Sequence, residues 1–198
     1  MRAFRVHTGA RLAPFGDTIN EALVGGQALG MAVSQALLDA GMQPELFNPD
    51  QALAEAETIC LLPDSQFVTR ACLKAFVQSV PEETQGIWRL CLRRGPATDY
   101  CLPLQDSEAE ADAHRVPTQI FILRGMTLPQ GADWDGLLPW LVERATEQII
   151  DPGDDLEWVD EPRPGPPRQA VALPRSLCLA VQIRHWVHLL WLNHLMPR

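Results

Sequence analysis

Three places in this sequence combine residue types and spacings that can do chemistry. The first is the loop Thr8-Gly9-Ala10-Arg11-Leu12-Ala13-Pro14-Phe15-Gly16, which lies between a strand-like and a helix-like stretch. Such a loop can turn backbone N–H groups toward a phosphate, and Arg11 adds a charged donor. Its spacing is neither that of a Walker loop nor that of G-x-G-x-x-G, so a plain connection stands as the alternative. The second is Asp64, at the end of the apolar run Thr58-Ile59-Cys60-Leu61-Leu62. A carboxylate at the carboxyl end of a buried strand can hold a hard cation such as Mg²⁺ against phosphate oxygens. It can equally cap the turn before the next helix, with Ser65 or Thr69 sharing that task. The third is the trio His185, His188 and His194. The first two share a helix face at a spacing compatible with metal ligation. His194 lies about 240° further round at 3.6 residues per turn. With no Glu between them to serve a hydrolytic zinc site, the simpler expectation is histidines bonded within a packed helix.

These residues need elements to hold them. Ala3 to His7 reads as a short strand, followed by the loop, in which two glycines and a proline argue against regular structure. Gly26 to Gly41 carries Leu29, Val33, Ala36, Leu37 and Ala40 at helical spacing and ends on a glycine stop. Pro44 to Phe47 is a second strand candidate, and Gln51 to Glu57 a short helix. Thr58 to Leu62 has the unbroken apolar character of a buried parallel strand. Val68 to Val80 is then helical. Ile87 to Leu92, Asp99 to Leu104 and Thr118 to Leu123 read as strands, Asp106 to Asp112 as a solvated acidic loop, and Trp134 to Ile150 as a helix. Asp151 to Pro174 holds six prolines and reads as an extended connection. Ser176 to Met196 is an apolar helix candidate whose face Trp186, Leu189, Leu190 and Asn193 would dock on the sheet or on another chain. The alternation predicts one three-layer α/β domain with a mostly parallel sheet over residues 1–150, a Pro-rich connection over 151–175 and a C-terminal helix over 176–198.

Composition narrows the partners. The 198 residues are enough for one domain with a real core. Sixteen basic residues against 25 acidic ones give a formal charge of −9, and Lys74 is the only lysine. That balance disfavours nucleic acid and anionic membranes. The segment Ser176 to Met196 is long and apolar, but Gln182, Arg184, His185, His188, Asn193 and His194 make it a poor membrane span. Five widely spaced cysteines without a Cys-x-x-Cys pair predict buried small hydrophobes rather than a zinc knuckle. The N-terminus lacks the apolar stretch of a signal peptide, so a cytoplasmic protein is expected.

Taken together, the motifs resemble those of the sugar-nucleotide pyrophosphorylases, nucleotidyltransferases with a GT-A-like, Rossmann-type domain. That family opens with a strand and a loop of the form G-T-R-L-x-P, where this chain has Gly9-Ala10-Arg11-Leu12-Ala13-Pro14. A segment K-P-L-x-x-x-x-G-x-P-L and a helix ending in A-G follow, matched here by Glu21 to Leu29 and by Ala40-Gly41. A metal-binding Asp stands after a buried strand, at Leu61-Leu62-Pro63-Asp64. Trp186 to Asn193 is similar to the segment that leads, in several such proteins, into a left-handed β-helix.

The resemblance implies a nucleotide or sugar nucleotide bound by Gly9, Ala10, Arg11 and Leu12, with Arg11 the catalytic contributor and Mg²⁺ on Asp64. It also implies attack by a sugar 1-phosphate on an α-phosphate. The chain departs from the pattern where Glu21 stands in the place of the lysine and Ala10 in the place of a hydroxyl residue. Asp106 and Asp135 are the candidates for a second metal carboxylate. These departures raise an alternative from another class, an inactive relative that acts as an interaction or assembly module, as a homo-oligomer or with a partner protein, through its C-terminal helix. A metal-dependent hydrolase built on the histidines is the third reading.

Overall fold

In a computed structural model of the chain, the residues described are 1–48, 57–82, 84–95, 98–99, 114–151, 157–160, 169–172 and 178–195, with the backbone alone described at 157–160, 169–172 and 194–195. In chain order the strands are β1 (Arg2–Val6), β2 (Arg11–Leu12), β3 (Asp17–Thr18), β4 (Leu23–Val24), β5 (Gln27–Ala28), β6 (Gln43–Leu46), β7 (Thr58–Pro63) and β8 (Gln66–Val68). They continue with β9 (Gly86–Arg93), β10 (Arg115–Arg124), β11 (Thr146–Ile150), β12 (Glu157–Asp160), β13 (Gln169–Ala172) and β14 (Ala180–Gln182). The α-helices described are α1 (Leu29–Asp39), α2 (Arg70–Ser79), α3 (Trp134–Arg144) and α4 (Trp186–Leu195).

The unbroken apolar run of β7 is explained by its place in the sheet. Six strands lie in the order β11-β9-β10-β7-β1-β6, so β7 has a neighbour on each edge. It is parallel to β1, which is parallel to β6. Only β10 runs against its neighbours, pairing antiparallel with both β7 and β9, and β9 is parallel to β11. The sheet is therefore mostly parallel, as the sequence predicts. Alternate residues of each strand serve opposite faces. Ala3, Cys60, Leu62, Leu90 and Ile122 pack with α1, α2 and α4 through Leu29, Val33, Leu37, Leu73, Phe76 and Leu192. Phe4, Ile59, Leu61, Ile87 and Phe121 pack with α3 through Trp134, Leu137 and Leu141. Two apolar layers enclose the sheet, which is the three-layer α/β architecture. Gly41, at φ +83°, closes the chain turn after α1, a conformation that a Cβ would strain.

Four boundaries differ from the sequence expectation, each for a local reason. The helix read over Trp134 to Ile150 stops at Arg144, and Thr146–Ile150 becomes strand β11 beside β9. The β-branched residues Thr146, Ile149 and Ile150 suit a pleated edge, and Leu137 and Leu141 had carried the helical period. The apolar stretch 176–196 divides likewise: β14 pairs antiparallel with β8, and only Trp186–Leu195 is helical. Val181 and Ile183 alternate with Gln182 at strand period. The glycine loop also contains order, since β2 and β3 form an antiparallel ladder across it with a cis Ala13–Pro14 bond between them. Within the expected Pro-rich connection, β12 and β13 pair antiparallel. The expected helix over 51–57, the strand over 99–104 and the acidic segment 106–112 fall outside the described residues save Glu57 and Asp99.

Candidate functional site at the carboxyl ends of β1 and β7

Where β1 and β7 end side by side, their last residues turn toward each other. The Asp64 amide donates to Val6 O (2.9 Å), which holds the turn after β7 against the end of β1. The Asp64 carboxylate then gathers the next two residues of the β1 loop. Oδ1 accepts from the Thr8 amide (3.2 Å) and the Thr8 hydroxyl (2.7 Å), and Oδ2 lies 2.5 Å from His7 Nδ1. Thr8 Oγ1 in turn accepts from the Ala10 amide (3.3 Å). Gly9 between them has φ +65°, which suits a residue without a Cβ. Asp64, Thr8 and Ala10 are thus one bonded cluster around Gly9, with His7 at its outer side. The Asp64 side chain is 9% exposed and that of His7 71%.

Arg11 is exposed at the start of β2 and donates through Nη1 to Gly16 O (2.9 Å), closing the far side of the loop. One bond uses one of five guanidinium N–H groups, leaving a cation at the loop surface. Leu12 is buried in the core. Beneath the loop, Arg5 Nη1 donates to Gly30 O (2.5 Å), and burial lowers its guanidinium from the ordinary value while the Asp64 charge opposes that shift. Asn20, in the 3-10 turn Ile19–Glu21, has a buried side-chain oxygen without a hydrogen-bond partner. A methyl group on Gly30 would lie 2.1 Å from that oxygen, so Arg5, Asn20 and Gly30 are tightly packed.

The C-terminal segment straps this end of the sheet. Ala13 N donates to Arg184 O and Trp186 N donates to Ala13 O, both at 3.1 Å. Ile183 N donates to Ser65 O (2.7 Å), next to Asp64. Asn193 accepts from Gly25 N (2.6 Å) and donates to Leu23 O (3.0 Å), gripping the turn between β4 and β5. Thr69, which caps α2 by accepting from Cys72 N (3.4 Å), also accepts from Leu179 N (3.1 Å).

His185 and His188 belong to this strap. His188 is fully buried, and its Nδ1 accepts from the amides of Arg184 (3.1 Å) and His185 (3.3 Å), capping α4. His185 Nδ1 accepts from Val187 N (3.2 Å). Among the described residues no group of three or more His, Cys, Asp or Glu could hold a metal ion. The side chain of His194 and residue Asp106 lie outside those residues. Asp135 sits in the first turn of α3, where the helix dipole favours a carboxylate. Glu21 is exposed in the 3-10 turn and Lys74 is part of α2. On α4 the buried positions are His188 and Leu192, with Leu189 partly buried, whereas Trp186 and Leu190 of the expected docking face are 38% and 51% exposed. Cys60, Cys72, Cys91 and Cys178 are buried, as expected of small hydrophobes, and Cys101 is outside the described residues.

No family model and no curated protein matches the chain. Solved structures do. The inositol-1-phosphate CTP transferase of T. maritima aligns over 98% of this chain and 94% of its own, at 12% identity and TM-score 0.46. A Bacillus anthracis protein assigned as a glucose-1-phosphate thymidylyltransferase aligns over 97% and 93%, at 9% identity and TM-score 0.47. A CMP:2-keto-3-deoxy-manno-octonic acid synthetase aligns over 76% and 89%, at 10% identity and TM-score 0.43. The α/β fold class rests on the sheet order and the two buried faces. No helix among the described residues is long and apolar enough to cross a membrane.

His7 and Thr8 were not legible as site residues. Their partner is 57 and 56 positions away, and the only local signal was a His-Thr-Gly sequence ending a strand.

The fit of Mg²⁺ to Asp64 can be judged from its lone pairs. A hard cation takes six or more oxygen ligands at open positions. Both Asp64 oxygens are engaged by chain donors, an arginine lies within electrostatic reach, and no second carboxylate joins it among the described residues. As arranged, this carboxylate spends about three of its four lone pairs on the chain and leaves little open to a cation.

Proposed function

We propose that the chain binds a nucleotide or sugar nucleotide, with the ligand's phosphates at the carboxyl ends of β1 and β7. The observation that carries this reading is the bonded cluster of Thr8, Ala10 and Asp64 at that edge, with Gly9 and the exposed Arg11 on the same loop. Open α/β sheets take ligands at the carboxyl ends of their strands. The G-A-R-L-A-P loop, the A-G helix end and the L-P-D turn in one chain support the sugar-phosphate nucleotidyltransferase class. In that reaction a phosphate oxygen of a sugar 1-phosphate bonds to the α-phosphorus of a nucleoside triphosphate, and the bridging oxygen leaves with pyrophosphate. No protein nucleophile is required, and positioning and charge compensation supply most of the rate. Arg11 is the residue for that compensation. Glu21, in place of the family's lysine, predicts a slow enzyme or none, because a missing phosphate cation costs on the order of a thousandfold in rate.

Calorimetry and thermal shift with nucleoside triphosphates and UDP-sugars, with and without Mg²⁺, test the reading. Heat and a raised Tm with at least one of them are expected, and silence from all overturns it.

The exposed Trp186 and Leu190 favour a second reading, an assembly module. Because α4 is built into the fold, the test is a double substitution, Trp186→Glu with Leu190→Arg, followed by light scattering. A mass that is monomeric before and after the change removes self-assembly.

A further inference from the structure

A carboxylate that recruits a cation presents lone pairs to water, and Asp64 presents them to the chain. Thr8 takes Oδ1 with two donors, and His7 Nδ1 stands 2.5 Å from Oδ2. The nearly buried carboxylate serves as a seat for an exposed imidazole. With Nδ1–H on the carboxylate, the ring's second nitrogen, Nε2, is the atom left for an incoming group. The ring stands at the carboxyl end of β1, one residue before the loop that carries Gly9 and Arg11.

We infer that His7, seated on Asp64, takes the place of a divalent cation and is the residue that meets the anionic end of the ligand, a phosphate ester or anhydride. The inference rests on the nucleotide-binding reading and names the group that makes the contact. A phosphate oxygen at Nε2 and the carboxylate at Nδ1 flank the ring with two acceptors. Hydrogen bonds from a ring N–H to an anionic oxygen are charge-assisted and among the strong ones. Thr8 does not compete for Nε2, because its hydroxyl is committed to Oδ1. The carboxylate therefore acts on the ligand only through the ring and is a positioning residue, whereas His7 is a binding residue.

The probe is inorganic pyrophosphate, added to the full chain in EDTA and again in excess Mg²⁺, with affinity read by calorimetry and the histidine ring Cε1–H signals read by NMR. The His7 signal is assigned from His7→Gln. The expected result is binding that EDTA changes less than about twofold, with a shift of the His7 signal. His7→Ala should weaken binding by about tenfold or more, the loss of one charge-assisted bond. His7 is exposed, so an unchanged Tm certifies that the variant is folded. Asp64→Asn, which keeps an acceptor for Thr8 and removes the charge beneath the ring, should also weaken binding and shift the free His7 signal. Binding that requires Mg²⁺, or that is equally tight in His7→Ala, overturns the inference and leaves the nucleotide-binding reading standing. If neither pyrophosphate nor any nucleoside triphosphate binds under either condition, both are overturned.

Discussion

Thr69 offers a direct test of whether the C-terminal strap is part of the fold. Its hydroxyl accepts two amide donors, Cys72 N at the start of α2 and Leu179 N just before β14, while its own amide donates to Leu179 O. Thr69→Val keeps the branched shape and the backbone bond and removes only the hydroxyl. The lost cap costs about 1 kcal/mol. Leu179 is 2% exposed, so its amide is left without water or acceptor, at about 1–3 kcal/mol. Together these come to about 2–4 kcal/mol, and a chain of this length loses about 2–4 °C of Tm per kcal/mol. Thermal unfolding followed by circular dichroism should therefore show a drop of roughly 4–16 °C for Thr69→Val. Thr69→Ser, which retains the acceptor, should lose much less. Hydrogen exchange at the Leu179 amide should accelerate in the valine variant alone. A valine variant within about 1 °C of the parent, or a serine variant as damaged as the valine one, refutes the shared-acceptor argument.

Gly30→Ala places a methyl group 2.1 Å from Asn20 Oδ1 and should lower stability by about 1–3 kcal/mol in denaturant titration, whereas Gly95→Ala, with nothing within 4 Å, should not. Burial pushes the Cys60 thiol up to about 12, so at pH 8 it carries almost no thiolate, and a disulfide reagent should label it only after denaturant is added. The bond from Arg2 holds the Glu45 carboxyl below its usual 4.5, so its contribution is complete above that pH and is lost as pH falls through the folded value. The Tm gap between parent and Glu45→Gln should accordingly be widest near neutrality and close on acidification.

The parts of this fold that were legible in the sequence are those where one pattern dominates. The run Thr58 to Leu62 reads as a central strand because both faces of β7 are covered, and α1 and α2 show their period because one side of each is wet. The C-terminal stretch was not divisible by eye, since residues 177–192 are apolar almost throughout and strand and helix periods both find matches. Its break is decided by His188 capping the amides of Arg184 and His185 and by the availability of β8 as a partner, neither of which is a local signal. The loop and Asp64 could be singled out individually. That the carboxylate is spent on Thr8 and His7 depends on the parallel register of β1 and β7, which sets Val6 beside Pro63.

The strap also sets an order of events during synthesis. Asn193 bonds to Leu23 across 170 residues. At about 5–20 residues per second, a ribosome needs roughly 10–30 s to make that stretch. Until the C-terminal segment is made, the glycine loop, the turn at Ser65 and the β4–β5 turn exist as nascent chain without those partners. A ligand that touches those loops would meet them with all their bonds made only on chains translated through α4.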